Sequence, residues 1–171
     1  MKAETCTIVQ FRTVIRDPET FLTEVRDIAT RHRVHIILFN ASNMAGMAHV
    51  RSALEHAFRA FSSGSTISNS VEMEAFLYAS GSRQCQIGIR FGVHAGMNNT
   101  YLCICPASSE ALEELLDLGE LCGDDWEGVT PDKMERLQEL FGITDEELAV
   151  VGPSRITELV LERVALLEVY R

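Results

Sequence analysis

Lysine is nearly missing from this chain. Lys2 and Lys133 are the only two in 171 residues, so any nucleic-acid face would depend on arginine. The formal net charge is −10, which argues against a nonspecific nucleic-acid binder, since such proteins are basic. No stretch approaches the roughly 20 apolar residues that a membrane span needs. The opening residues Met1–Thr7 lack the apolar core of a secretion signal, so a cytoplasmic protein is expected. There is no G-x-S-x-G, P-loop, G-x-G-x-x-G or H-E-x-x-H motif, so the common enzyme signatures are absent and a noncatalytic protein is expected. Five cysteines occur, at 6, 85, 103, 105 and 122, without any C-x-x-C pair. Their odd number and spacing fit no zinc module, and no metal or cofactor is expected. They read as small buried hydrophobes in a reducing compartment.

What remains is an ordinary globular composition, 46% hydrophobic and 23% charged, long enough for one domain over 1–171. The charge is unevenly spread. Up to Pro106 there are 10 basic and 8 acidic residues, together with all five histidines; from Ala107 on there are 5 basic and 17 acidic. The acidic run reads first as solvated helix faces.

Alternating and helical periodicities give a coarse map. Strands are expected at Cys6–Arg12, Val34–Phe39, within Val71–Ala79, and at Thr100–Cys105. Helices are expected after Asp17-Pro18, over Gly46–Phe61 and Arg83–Phe91, from Ser108 or Ser109 to Leu118, after Thr130-Pro131, after Thr144, and over Ser154–Tyr170. Thr144–Glu147 has the form of a capping box. The expected class is a single α+β domain: a mostly antiparallel sheet of four to five strands packed by seven to eight helices.

Two turns stand out, Asn40–His49 (N-A-S-N-M-A-G-M-A-H) and Tyr78–Gln84 (Y-A-S-G-S-R-Q). Each is read as a strand handing over to a helix start, where unsatisfied N–H groups favour an anion or merely await a cap. His49, Ser52, His56 and Arg59 form one polar stripe, and Arg83, Gln86 and Arg90 another. Such stripes suit phosphate contacts and equally suit a solvated face. The final helix is apolar on two sides, so it either threads the core or docks on another protein. A small-molecule anion site at the two helix N-termini is one functional reading that these residues support.

The two turns, together with E-R-V-A-L-L-E-V at Glu162–Val169, resemble the family of kinase-binding subunits of the KEOPS complex (TPRKB-like, PRPK-binding proteins), in an archaeal form. The resemblance spans nearly the whole chain. It implies a noncatalytic regulatory subunit that binds and stimulates a small atypical kinase, touching other KEOPS subunits indirectly. It further implies recruitment of tRNA through its single-stranded CCA end, in support of threonylcarbamoyladenosine modification. The residues that match the family pattern at the RNA-binding turns are Asn40, Gly46, His49, Tyr78, Gly81, Arg83 and Gln84. Arg90 joins them from the same stripe as Arg83. Leu161, Val164, Leu167 and Tyr170 are the candidates for kinase docking. Cys85 and Gly88 depart from the expected pattern and suggest looser local packing.

Overall fold

A computed structural model describes residues 5–170. Its frame is an antiparallel sheet in the order β2-β3-β1-β4. The strands are β1 (Thr7–Ile15), β2 (His35–Asn40), β3 (Gly96–Cys105) and the short β4 (Glu120–Leu121). β1 runs against β3 in one unbroken register, from Thr7 opposite Ile104 to Ile15 opposite Gly96. Alternation along these strands sorts side chains to two faces. Phe11, Ile15, Ile36, Leu38, Leu102 and Ile104 face one layer, which α1 (Pro18–His32) and α5 (Ser109–Leu115) close. Ile37, Phe39, Tyr101 and Cys103 face the other.

That second layer is the larger core. It is filled by α2 (Met47–Ser63), α3 (Val71–Ser80), α6 (Pro131–Phe141), α7 (Asp145–Val151) and α8 (Ile156–Val169). Val50, Leu54, Ala57 and Phe58 fall at i, i+4, i+7 and i+8 on one face of α2 and are all buried, each large one worth about 2 kcal/mol. The capping expectations hold. Asp17 accepts from Thr20 N ahead of Pro18, Thr130 accepts from Lys133 N ahead of Pro131, and Thr144 and Glu147 form a reciprocal box.

The class agrees with expectation, but one member of the sheet does not. Val71–Ser80 is a helix, not a strand. Its alternation of Val71, Met73, Ala75, Leu77 and Ala79 mimics period two because the helix is buried on nearly every side. Ser70 caps it by accepting from Met73 N, Glu72 and Glu74 lie in its first turn, and Gly81 ends it in the left-handed region at φ 60°. β3 begins four residues earlier than Thr100, because its Met97–Asn99 segment pairs with Arg12–Val14. The helix expected over Arg83–Phe91 is only α4 (Cys85–Gly88) with a 3-10 turn, Ile89–Phe91.

The cysteines also depart from expectation. Cys6 and Cys105 form a disulfide that joins the start of β1 to the end of β3. Cys85 is exposed, Cys122 partly so, and only Cys103 is a buried free thiol.

Candidate functional site

The first turn leads from β2 through a 3-10 turn, Ala41–Asn43, into α2. Asn40 ends the strand nearly buried, and its side chain accepts from Ser42 N at 3.1 Å. Gly46 precedes α2 at φ 118°, a backbone region that favours glycine. A Cβ there would lie 2.5 Å from Glu127 Oε2. The close approach has a purpose: Glu127 Oε1 accepts from Met47 N at 2.8 Å and from the Tyr101 hydroxyl at 3.3 Å. The N-terminus of α2 is therefore already occupied by a carboxylate of the chain itself. Burial, with Glu127 second, pushes the Tyr101 hydroxyl up, so it stays protonated as the donor.

Glu127 arrives on a strap that crosses from β4 to α6. Gln10 donates to Asp124 O and accepts from Asp124 N, and Arg12 donates to the Asp124 carboxylate. The Trp126 ring meets Tyr101 edge-on at 5.3 Å, and Lys133 Nζ donates to Trp126 O at 2.6 Å.

His49 lies under the first turn, not on it. It is wholly buried; Nδ1 accepts from Ala45 N at 3.0 Å, and Nε2 donates to Ala79 O at 2.8 Å. Burial drives its pKa down to about 4, so the ring is neutral. Tyr78 is wholly buried as well, stacked on His56 with centroids 5.0 Å apart. Neither side chain reaches solvent, so neither can touch a ligand in this conformation. Their role in the fold is to lock α2 against α3.

The second turn has the opposite polarity from the one expected. Ser80-Gly81-Ser82 closes the C-terminus of α3, where Gly81 N donates to Tyr78 O and Ser82 N to Leu77 O. The one helix start at this turn is that of the four-residue α4, which Gln84 precedes without a side-chain cap. The anion reading built on two helix N-termini is corrected at the first turn, where Glu127 fills the end, while the second turn is mainly the capped C-terminus of α3.

The second turn instead forms one wall of a groove of about 470 Å3. α8 forms the opposite wall through Arg163, Leu166, Leu167 and Tyr170, and Leu140 and Phe141 at the end of α6 contribute apolar surface. The walls approach closely: a Cβ on Gly81 would sit 3.3 Å from Arg163 O. Arg83 reaches across and donates to Tyr170 O at 3.0 Å. Arg163 donates to Glu147 at 2.6 Å and keeps a partly exposed guanidinium at the rim. Gln84 is exposed beside Arg83 as the residue ahead of α4. Arg90 is exposed further along, and its carbonyl accepts from the Asn43 amide at 2.7 Å.

A second groove of about 410 Å3 lies between the first turn and the strap. Ser42, Asn99, Trp126, Lys133 and Arg136 line it, with Asp125 and Asp132 opposing their charge.

The docking candidates on α8 divide. Val164 is 0% exposed and Leu167 nearly so, within the main core. The apolar second side of the final helix is thus core, because α2, α3 and α6 all pack on it. Leu161 is half-buried, whereas Val169 and Tyr170 are 73% and 72% exposed at the end of the helix.

The structure thus brings Gly81, Arg83, Leu167 and Tyr170 to one groove. It sets Asn40, Gly46, His49 and Tyr78 behind it or to its side. Arg163 was not nominated from sequence, although it sits inside the Glu162–Val169 segment. Nothing in the sequence signals Glu127, which lies 80 residues from its partner Met47. Among the described residues no group of three or more His, Cys, Asp or Glu is poised to hold a metal. Among the described residues no helix is long and apolar enough to cross a membrane.

A family model described as kinase binding protein CGI-121 matches residues 12–168. No curated protein matches.

Proposed function

The chain belongs to the CGI-121 family of kinase-binding proteins, and from that premise we propose that it is a noncatalytic KEOPS subunit acting as an adaptor between a small kinase and tRNA. In this reading it stimulates the kinase's ATPase activity and recruits tRNA by its single-stranded CCA end. The assembly then installs threonylcarbamoyladenosine, in the cytoplasm.

One observation carries the RNA half of the proposal: the groove between the Ser80–Arg83 turn and α8. Its Arg83 and Arg163 guanidinium groups flank apolar and aromatic surface. A single-stranded end needs only a few cations for its phosphates and a flat or apolar surface for its bases. That is compatible with a chain of net charge −10. Arg83, Gln84 and Arg90 are the exposed candidates for RNA contact, with Gly81 letting the walls approach. Tyr170 and the exposed side of the α8 terminus are the candidates for the kinase.

Binding of tRNA with and without its CCA end, measured by anisotropy, tests the first half. The intact tRNA should bind at least about tenfold tighter, a gap of about 1.4 kcal/mol. Equal binding would remove the CCA role. Arg83→Ala should erase most of the difference while the melting curve stays in place. For the second half, adding the chain to its cognate kinase should raise ATP turnover. An unchanged rate, together with no co-elution, would overturn the adaptor reading.

A further inference from the structure

The disulfide lies outside every feature used so far. Cys6 and Cys105 sit at the end of the β1–β3 ladder, one step beyond the Thr7–Ile104 pair, with Cα atoms 4.4 Å apart. The same end is tied by a backbone bond, in which Ala107 N donates to Thr5 O at 2.8 Å. The two sulfurs are unequally placed. Cys6 is partly exposed, whereas Cys105 is wholly buried against the main core.

The other three thiols are kept out of reach by different means. Cys103, two residues away, points to the same side of β3, and burial pushes its thiol well above the ordinary range, so it stays protonated. Cys85 belongs to α4 and Cys122 follows β4. Cys122 N bonds Gln10 O, which places it four residues along β1 from Cys6.

We propose that Cys6–Cys105 is a reversible redox staple, opened by a dithiol reductant that attacks at Cys6 and closed again, without scrambling, by a disulfide oxidant, which is itself reduced to two thiols. The attacking thiolate bonds to Cys6 Sγ and the Cys6–Cys105 bond breaks. The Cys105 sulfur leaves and takes a proton. The reductant's second thiolate then displaces Cys6, leaving two protein thiols and one oxidised reductant. Attack at Cys6 follows from access, because only its sulfur belongs to a partly exposed residue. Closure is specific because the ladder holds the two thiols together after reduction. Opening removes a covalent constraint on the start of β1 and leaves intact the groove at Gly81 and Arg83, which neither cysteine lines.

Thiol counting tests this. Protein prepared without reductant, denatured and alkylated, should label at Cys85, Cys103 and Cys122 only. After dithiothreitol all five should label, and after transfer to oxidised glutathione the count should return to three, with Cys6 and Cys105 again protected in the peptide map. Reduction should lower the melting temperature by about 10 °C for so long a closed loop. Cys6→Ser should melt at the reduced temperature whether or not dithiothreitol is present. Labelling at Cys6 in the unreduced protein would overturn the proposal. So would an unchanged melting temperature on reduction, or re-oxidation that pairs Cys103 or Cys122.

Discussion

His49 fills two backbone valences at once. It accepts the Ala45 N–H just ahead of α2 and donates its own ring N–H to the Ala79 carbonyl at the tail of α3. His49→Ala should therefore cost about 3 kcal/mol in urea unfolding at neutral pH, from the cavity and two unpaired backbone groups. The same residue predicts a pH dependence. Unfolded, it takes up a proton near 6.5; folded, near about 4. Between those values the unfolded chain binds more protons, so stability falls as pH drops through that window and is fully present above it. The gap amounts to roughly 3 kcal/mol, measurable as the difference in unfolding free energy between about pH 7.5 and about pH 4.5. The alanine variant should lack that part of the slope. His35 works the other way: its hydrogen bond to Glu72 raises its pKa, so what it adds is present below 6.5 and lost as pH rises. From sequence, His49 is a polar group beside a helix start. That it points inward is decided by the Ala79 carbonyl, 30 residues on, which no local pattern announces.

At the scale of elements, the strap and the final helix make opposite demands. The strap depends on one glycine. Gly46→Ala would put a methyl against the Glu127 carboxylate at a φ that alanine resists. The expected cost is about 2 kcal/mol in chemical denaturation, with a change in Trp126 fluorescence as the strap lifts. The final helix depends on its buried side. Val164→Ala should cost about 2 kcal/mol, while Tyr170→Ala should stay within about 0.5 kcal/mol yet weaken kinase co-elution. Calorimetry of both variants separates the core side from the docking side. The elements with one apolar face, α1 and α2, were legible in sequence for this reason: half their residues had to be polar. α3 was not, because a helix buried all round has no stripe, and β4 was too short to show a period. The class survived because one expected strand proved a helix while an unforeseen one, Glu120–Leu121, took its place in the count.

For the whole molecule, charge sets the character of any RNA contact. With net charge −10 and few exposed arginines at the groove, only one to three phosphates can be neutralised. The logarithm of the tRNA association constant should then fall against the logarithm of salt with a slope of about −1 to −2. A slope steeper than about −4 would point instead to a broad basic face. The disulfide has a further consequence at this scale. It makes a ring of residues 6–105, holding β1, β2, β3 and α1–α4, and leaves everything after Cys105 as a tail. The ring contains all five histidines, and the tail carries most of the acid. A protease that nicks the exposed Gly64–Thr66 segment should leave two halves still joined on a nonreducing gel. A nick at the exposed Gly123–Asp125 should release the part of the tail beyond the cut under denaturation, with or without reductant. In covalent terms the chain is a closed loop with an acidic appendage, and its fragments will record which part was cut.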